Sequence, residues 1–319
     1  MTQTTKAYLA LIFICIVWGT TYLAIRVGVQ YYPPFLFAGS RQVVAGLLLL
    51  AVARAYGERF DFSANNLRAQ SLIGFLMLTL GNGGVTWAEK YIPSGIAALL
   101  CSMMPIFAIL FNLLSSKRDH FNWLIGCGML MGFAGVALIF RQSISDMTRP
   151  EYVGGMIGIL IATSAWAYGS MVSKNKARGT GGPLFNAALQ LGLGGVFMLL
   201  ISPVADDFSQ GIHWHTDGAV SLLYLISFGS VLAYAAYMYA LRHLPVGIAT
   251  IYAYINPLIA VVAGYLFLNE ALNIYIGLAF ATIATSVYVV NRGYRLQKKQ
   301  QLKDTEMAVT LPDRAAAES

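Results

Sequence analysis

Two stretches of this chain repeat each other 152 residues apart: Pro93-x-Gly95-Ile96-Ala97 followed by Pro105, and Pro245-x-Gly247-Ile248-Ala249 followed by Pro257. Both open long apolar segments, and five such segments separate the matching points. Five is odd. A chain that crosses a bilayer five times per copy starts its second copy from the opposite side, so the two halves are inverted relative to each other. Repetition at a fixed offset restricts the fold more than any single residue does.

The composition demands a membrane. Of 319 residues, 57% are hydrophobic and only 11% are charged, against roughly 25% charged in soluble domains. Apolar runs of about 20 residues recur, long enough as helices to match a hydrocarbon core of roughly 30 Å. The first, after Lys6, is too long for a signal-peptide core and reads as a retained span. Cys15, Cys101 and Cys127 lie apart within apolar runs, without metal or disulfide spacing.

The expected fold is an all-α polytopic membrane protein with ten transmembrane helices. They fall near 7–27, 34–54, 68–87, 94–115, 121–140, 153–174, 184–204, 218–241, 245–268 and 273–291. Residues 1–6 form a cytoplasmic N-terminus, 7–141 the first repeat, 152–291 the second, and 292–319 a polar, basic tail expected to be disordered. With the N-terminus inside, sixteen Lys and Arg lie on the cytoplasmic side and four outside. That bias places both termini in the cytoplasm. It also assigns the net charge of +7 to membrane topology, not to nucleic acid.

A second echo follows a 148-residue offset. Trp18 stands eight residues before Arg26, and Trp166 stands eight before Lys174. Inversion puts Arg26 at the external mouth and Lys174 at the cytoplasmic one, where each either snorkels to head groups or serves as a gate charge. Pro105 and Pro257 fall near mid-bilayer and predict kinks, either for packing or along a substrate path. Gly81-Asn82-Gly83-Gly84 is the weakest helical stretch, explained by a locally opened helix or by close packing.

Buried polar and aromatic residues supply the cavity candidates. Tyr234 and Tyr237 share a helix face, as do Tyr252 and Asn256. Tyr252 lies too deep to be an interfacial anchor, so its hydroxyl needs a partner within the span. Arg41 stands eight positions into span 2, where insertion of an arginine costs about 2.5–3.5 kcal/mol at the bilayer centre. It calls for carbonyls of neighbouring helices or for a substrate carboxylate. No span carries a central carboxylate; Glu89 and Glu270 stand at external helix ends.

The repeat, the opening Trp18-Gly19-Thr20-Thr21-Tyr22 run, Arg41 early in span 2 and Gly264-x₅-Glu270 closing span 9 together resemble the drug/metabolite transporter superfamily, EamA type. The resemblance spans residues 7–291. It implies two inverted five-helix repeats around a central cavity and export of amino acids or related metabolites across a bacterial inner membrane. On that basis Trp18, Tyr22, Arg41, Asn82, Trp166, Tyr234, Tyr237, Tyr252 and Asn256 are the candidate substrate contacts, and Arg26, Lys174 and Glu270 the mouth charges. At the 152-residue offset Glu270 has Arg118 as its counterpart, a departure from a symmetric acidic pair.

An intramembrane enzyme would need a nucleophile or metal set within the spans. The four histidines instead lie in loops or at helix ends, and no His-Glu-x-x-His or Gly-x-Ser-x-Gly occurs. No cofactor, metal or nucleic acid is expected. The partners are a small-molecule substrate and the lipid bilayer, with the chain as monomer or homodimer. Passive conduction and multidrug efflux are the competing functions.

Overall fold

A computed structural model describes residues 2–115, 123–142, 149–176, 181–209, 211–212, 214–244, 246–249, 252–270 and 273–317. Lys117, Arg118, His120, Arg178, His213, Pro245 and the Ala271-Leu272 pair lie outside those residues, as does the side chain of Tyr254. The described residues are helical, with no strand among them.

The first half comprises α1 (Gln3–Gly28), α2 (Pro34–Ala55), α3 (Ala64–Gly74), a π-helical stretch π1 (Phe75–Gly83), α4 (Gly84–Ala88), α5 (Ser94–Cys101), α6 (Met104–Ser115) and α7 (Trp123–Gln142). The second comprises α8 (Pro150–Lys176), α9 (Pro183–Ala205), α10 (Thr216–Tyr224), π2 (Leu225–Leu232), α11 (Ala233–His243), α12 (Val246–Ala249), α13 (Tyr252–Leu268) and α14 (Ile274–Ala317). Continuous runs α3–π1–α4 and α10–π2–α11 correspond to predicted spans 3 and 8.

Among the described residues seven helical runs are long and apolar enough to cross a bilayer, and three shorter apolar helices stand where spans 4, 5 and 9 are predicted. The outward faces stay apolar: Leu47, Leu48 and Val44 of α2 are exposed alongside a fully buried Ala45. A helix apolar all round has lipid on the side that is not packed against protein.

The inversion is visible in packing. Gly39 of α2 faces Gly195 and Leu199 of α9, while Gly46 faces Ala188 and Gly192. Numbers rise on one helix as they fall on the other, so these repeat-equivalent helices run antiparallel. A Cβ on Gly46 would stand 2.7 Å from the Gly192 nitrogen, so the contact is backbone against backbone. Small residues permit such approach where lipid offers no hydrophobic drive for helix association. The other equivalent pairs agree. In α7 and α14, Gly128 lies against Val290 and Gly135 against Ala279 and Ile283. Across α5–α6 and α13, Ser94 meets Glu270 and Met104 meets Tyr252.

Carboxylates staple the first of these pairs at both ends. Asp206, just past α9, accepts from the Phe35 and Leu36 amides at 3.0 and 2.8 Å. Glu58, just past α2, accepts from the Phe185 amide at 2.9 Å. Glu58 and Asp206 are 148 residues apart, so each half caps the other's free helix N–H groups by the same device.

Two expectations need correction. Pro105 does not bend a continuous helix: α5 ends at Cys101 and α6 begins at Met104, which puts Pro105 in a first turn, where its missing N–H costs little. The Ser102 hydroxyl takes the Leu99 carbonyl at 2.6 Å in the break. Pro257 does lie inside a helix, α13. The tail, expected to be disordered, is helical through Ala317 as an extension of α14. Its Leu-Gln-Lys-Lys-Gln-Gln-Leu run is built from good helix formers, whose backbone propensity needs no buried stripe.

Candidate functional site

The weak helical stretch at Gly81-Asn82-Gly83-Gly84 lies at the end of π1, and the chain repeats the device in π2. Gly229-Ser230 of π2 stands 148 residues after Gly81-Asn82. Glycine and serine hold an α-helix weakly, and widened turns are frequent at functional sites. Trp18 donates its indole N–H to the Gly229 carbonyl at 2.9 Å. Trp166 lies over Gly81, whose added Cβ would be 2.9 Å from the ring. The indole N–H of Trp166 is buried without a protein partner.

Between the halves lies a cleft of about 720 Å³, open solvent at its mouth included. Trp18, Tyr22, Arg41, Asn82, Trp166, Tyr234, Tyr252 and Asn256 all line it. Tyr237 does not. It is fully buried behind the wall, its hydroxyl 2.8 Å from Ser170 Oγ and its ring against Trp18, Trp166 and Tyr252. Trp18 and Tyr252 meet nearly edge to face at 4.8 Å, and Trp18 and Trp166 at 5.6 Å, an arrangement aromatic quadrupoles favour.

Arg41 is 3% exposed. Its Nε donates to Ser230 Oγ at 2.8 Å, so its partner is a side chain of the widened helix and not a row of carbonyls. Gly229 leaves room for the guanidinium: a Cβ there would be 3.1 Å from Arg41 Nη2. Arg41 Nη1 has no protein partner. Next to it Gln42 donates to Asn82 Oδ1 at 3.0 Å, leaving Gln42 Oε1 unpartnered. Unpartnered donors and an acceptor on one apolar-walled cavity suit a small polar head group. Among the described residues no carboxylate lines it.

Asn256 supports the site from behind. With its amide oriented by its hydrogen bonds, Nδ2 donates to the Tyr252 carbonyl at 2.9 Å and to the Cys15 carbonyl at 3.0 Å, tying α13 to α1. The Tyr252 hydroxyl reaches Met104 Sδ at 3.2 Å.

The mouth charges hold helix ends. Arg26 donates to the Glu89 carbonyl, closing the end of α4. Lys174 donates to the Leu241 carbonyl at 2.8 Å and to the Leu244 carbonyl, closing the end of α11. The two contacts are repeat equivalents, cations at helix C-termini as the macrodipole prefers. Glu270 accepts from the Ser94 amide and hydroxyl, each at 2.9 Å, and from the Gly95 amide at 3.3 Å, capping α5 from the end of α13.

Several polar residues on and behind the lining escaped the sequence reading. Gln42, Thr163, Gln190 and Ser230 are all buried within predicted spans. The Tyr234 hydroxyl donates to Gln190 Oε1 at 2.6 Å, Gln190 to Gln70 at 2.6 Å, Gln70 to Asn66 at 3.0 Å, and Asn66 to Asn186 at 3.0 Å. This ladder runs from the cavity to the end of the molecule where α3 and α9 begin. Polar side chains inside apolar runs were its signal. Among the described residues no group of three or more His, Cys, Asp or Glu could hold a metal ion.

Comparison with known sequences and structures matches this geometry to a family. A sequence model described as the EamA-like transporter family matches twice, over residues 5–141 and 153–292. The uncharacterized inner membrane transporter YedA of Escherichia coli K12 is 35% identical over 253 residues, 79% of each chain. The uncharacterized transporter YvbV of Bacillus subtilis is 28% identical over 261 residues, 80% of this chain and 82% of its own. A crystal structure aligns with 92% of this chain and 99% of its own at a TM-score of 0.64 and 19% identity, a likeness of fold alone.

Proposed function

Because the chain belongs to the EamA-like transporter family, we infer that it is a secondary transporter that exports small amphipathic metabolites, amino acids foremost, across the bacterial inner membrane by alternating access. The observation that carries this reading is the cavity itself, set between inverted halves, with the buried atoms Arg41 Nη1, Trp166 Nε1 and Gln42 Oε1 unpartnered on residues that line it. A carboxylate head group would take the two donors, an ammonium would take the glutamine oxygen, and the Trp and Tyr walls would accept an apolar body.

Inverted halves allow the same cavity to open at either end by exchanging the conformations of the two repeats. The Lys and Arg distribution assigns the Lys174 end to the cytoplasm and the Arg26 end to the exterior. A lining that carries a guanidinium and, among the described residues, no carboxylate argues against the lipophilic cations typical of multidrug efflux.

Counterflow in proteoliposomes loaded with unlabelled amino acids, sugars or cationic drugs tests the reading. Labelled amino acid should accumulate transiently against amino-acid-loaded vesicles, and Tyr252→Ala should abolish the effect. Equilibration without overshoot would indicate a passive channel, and overshoot with cations alone would indicate multidrug efflux.

A further inference from the structure

The connection between α4 and α5 is locked from two sides, by Arg26 on the Glu89 carbonyl and by Glu270 on the Ser94 and Gly95 amides. Within this lock the Glu89 side chain is fully buried, and neither carboxylate oxygen has a hydrogen-bonding partner. Arg26 engages the backbone oxygen of the same residue and leaves its carboxylate alone. An ionised carboxylate held out of water without a donor is among the costliest arrangements a protein can contain. Glu89 also continues the cavity face of its helix, one turn beyond Val85 and two beyond Asn82, both of which line the cavity.

We propose that Glu89 is a proton-binding site whose occupancy keeps the Arg26 end of the cavity shut. In the closed state the carboxyl holds its proton. Opening admits water, the O–H bond breaks, and the proton leaves to the water at that mouth. The resulting carboxylate competes with its own backbone carbonyl for Arg26 and repels Glu270 from the α5 terminus, so both locks loosen together. Proton uptake restores them. Since the proton enters and leaves at one mouth, Glu89 sets when that mouth opens and carries no net charge across the membrane.

The charged and titratable groups around Glu89 are Arg26 and Tyr22 from α1, Arg41 from α2, Cys101 from α5 and Glu270 beyond α13. The α8 helix presents Gly155 to this turn, and its Glu151 acts on the neighbouring Tyr91. Arg26 and Arg41 oppose retention of the proton, whereas burial and Glu270 favour it. The sign follows directly. Opening releases one proton, so above the ordinary carboxylate range the open population should rise about tenfold per pH unit until the closed form also ionises.

The test uses the full chain in sealed vesicles, with Cys15→Ala and Cys127→Ala, which leaves Cys101 on the cavity wall as reporter, and with the charged reagent confined to the side of the Arg26 end. Infrared spectra at neutral pH should show the carbonyl stretch of a buried neutral carboxylic acid, lost in Glu89→Gln. Labelling of Cys101 by a charged thiol reagent, normalised to the Glu89→Gln protein for thiol reactivity, should accelerate as pH rises. Glu89→Asp, which keeps an acid with a shorter reach, should retain that acceleration with a shifted midpoint. An acid band unchanged by Glu89→Gln would overturn the proposal, as would normalised labelling that is flat with pH or an Asp variant with the wild-type midpoint. Neither readout needs a substrate, so failed counterflow would sink the transport reading and leave this one standing.

Discussion

Trp18 hydrogen-bonds the Gly229 carbonyl at 2.9 Å, tying the first helix of one repeat to the widened turn of the other. The equivalent pair, Trp166 and Gly81, is in contact without that bond, and the Trp166 indole N–H is left unpartnered. Two copies of one local design thus do different work: one closes a structural contact and the other offers a donor beside the cavity.

That asymmetry separates two substitutions. Trp18→Phe leaves a buried carbonyl unsatisfied and should cost about 1–3 kcal/mol of stability. Trp166→Phe removes a donor that satisfies no carbonyl and should cost less stability than Trp18→Phe while weakening ligand binding. Thermal unfolding in detergent, with and without a ligand that shows counterflow, reads both effects.

Arg41 engages Ser230 through Nε and leaves Nη1 unpartnered. Arg41→Lys keeps the charge and loses the fork, so carboxylate substrates should be bound about tenfold more weakly, equivalent to roughly 1.4 kcal/mol. Esters of the same substrates, which lack the carboxylate charge, should be affected far less. A concentration series in the counterflow assay separates the two.

Where Gly46 of α2 crosses Gly192 of α9, the contact is sensitive to a methyl group on one side only. A Cβ at Gly46 meets the Gly192 backbone at 2.7 Å, whereas one at Gly192 has nothing within 4 Å. Gly46→Ala should therefore destabilise by about 1–3 kcal/mol through overpacking, and Gly192→Ala should be tolerated. Melting curves of the two variants, measured in parallel, check the contrast.

Glu58 and Asp206 cap opposite ends of that same helix pair. Glu58→Gln and Asp206→Asn should each cost about 0.5–2 kcal/mol, as loss of a charged helix cap does. The staples sit at opposite ends of the molecule with no shared partner, so the double mutant should show additive losses. A double-mutant cycle on thermal stability measures the coupling.

The sequence by itself determined the architecture: the 152-residue repeat and the apolar runs required ten helical segments in two inverted copies, because lipid leaves helices little alternative and odd copies reverse direction. It also exposed most of the cavity wall, since an arginine, an asparagine and deep aromatics are costly in a span unless something receives them. Other features depended on contacts between residues far apart in the chain. The Glu270 cap on α5 joins positions 176 residues apart, and the π2 turn takes its meaning from Trp18, 211 residues away. Tyr237 shares a helix face with Tyr234 yet sits behind the wall, because facing helices, not helical spacing, decide which tyrosine meets the cavity. Glu89 read as an ordinary helix-end acid, and only tertiary packing removed its water and its partners. Periodicity and composition are local averages that one chain displays openly; burial and hydrogen-bond closure are properties of surfaces that exist only once the helices have met.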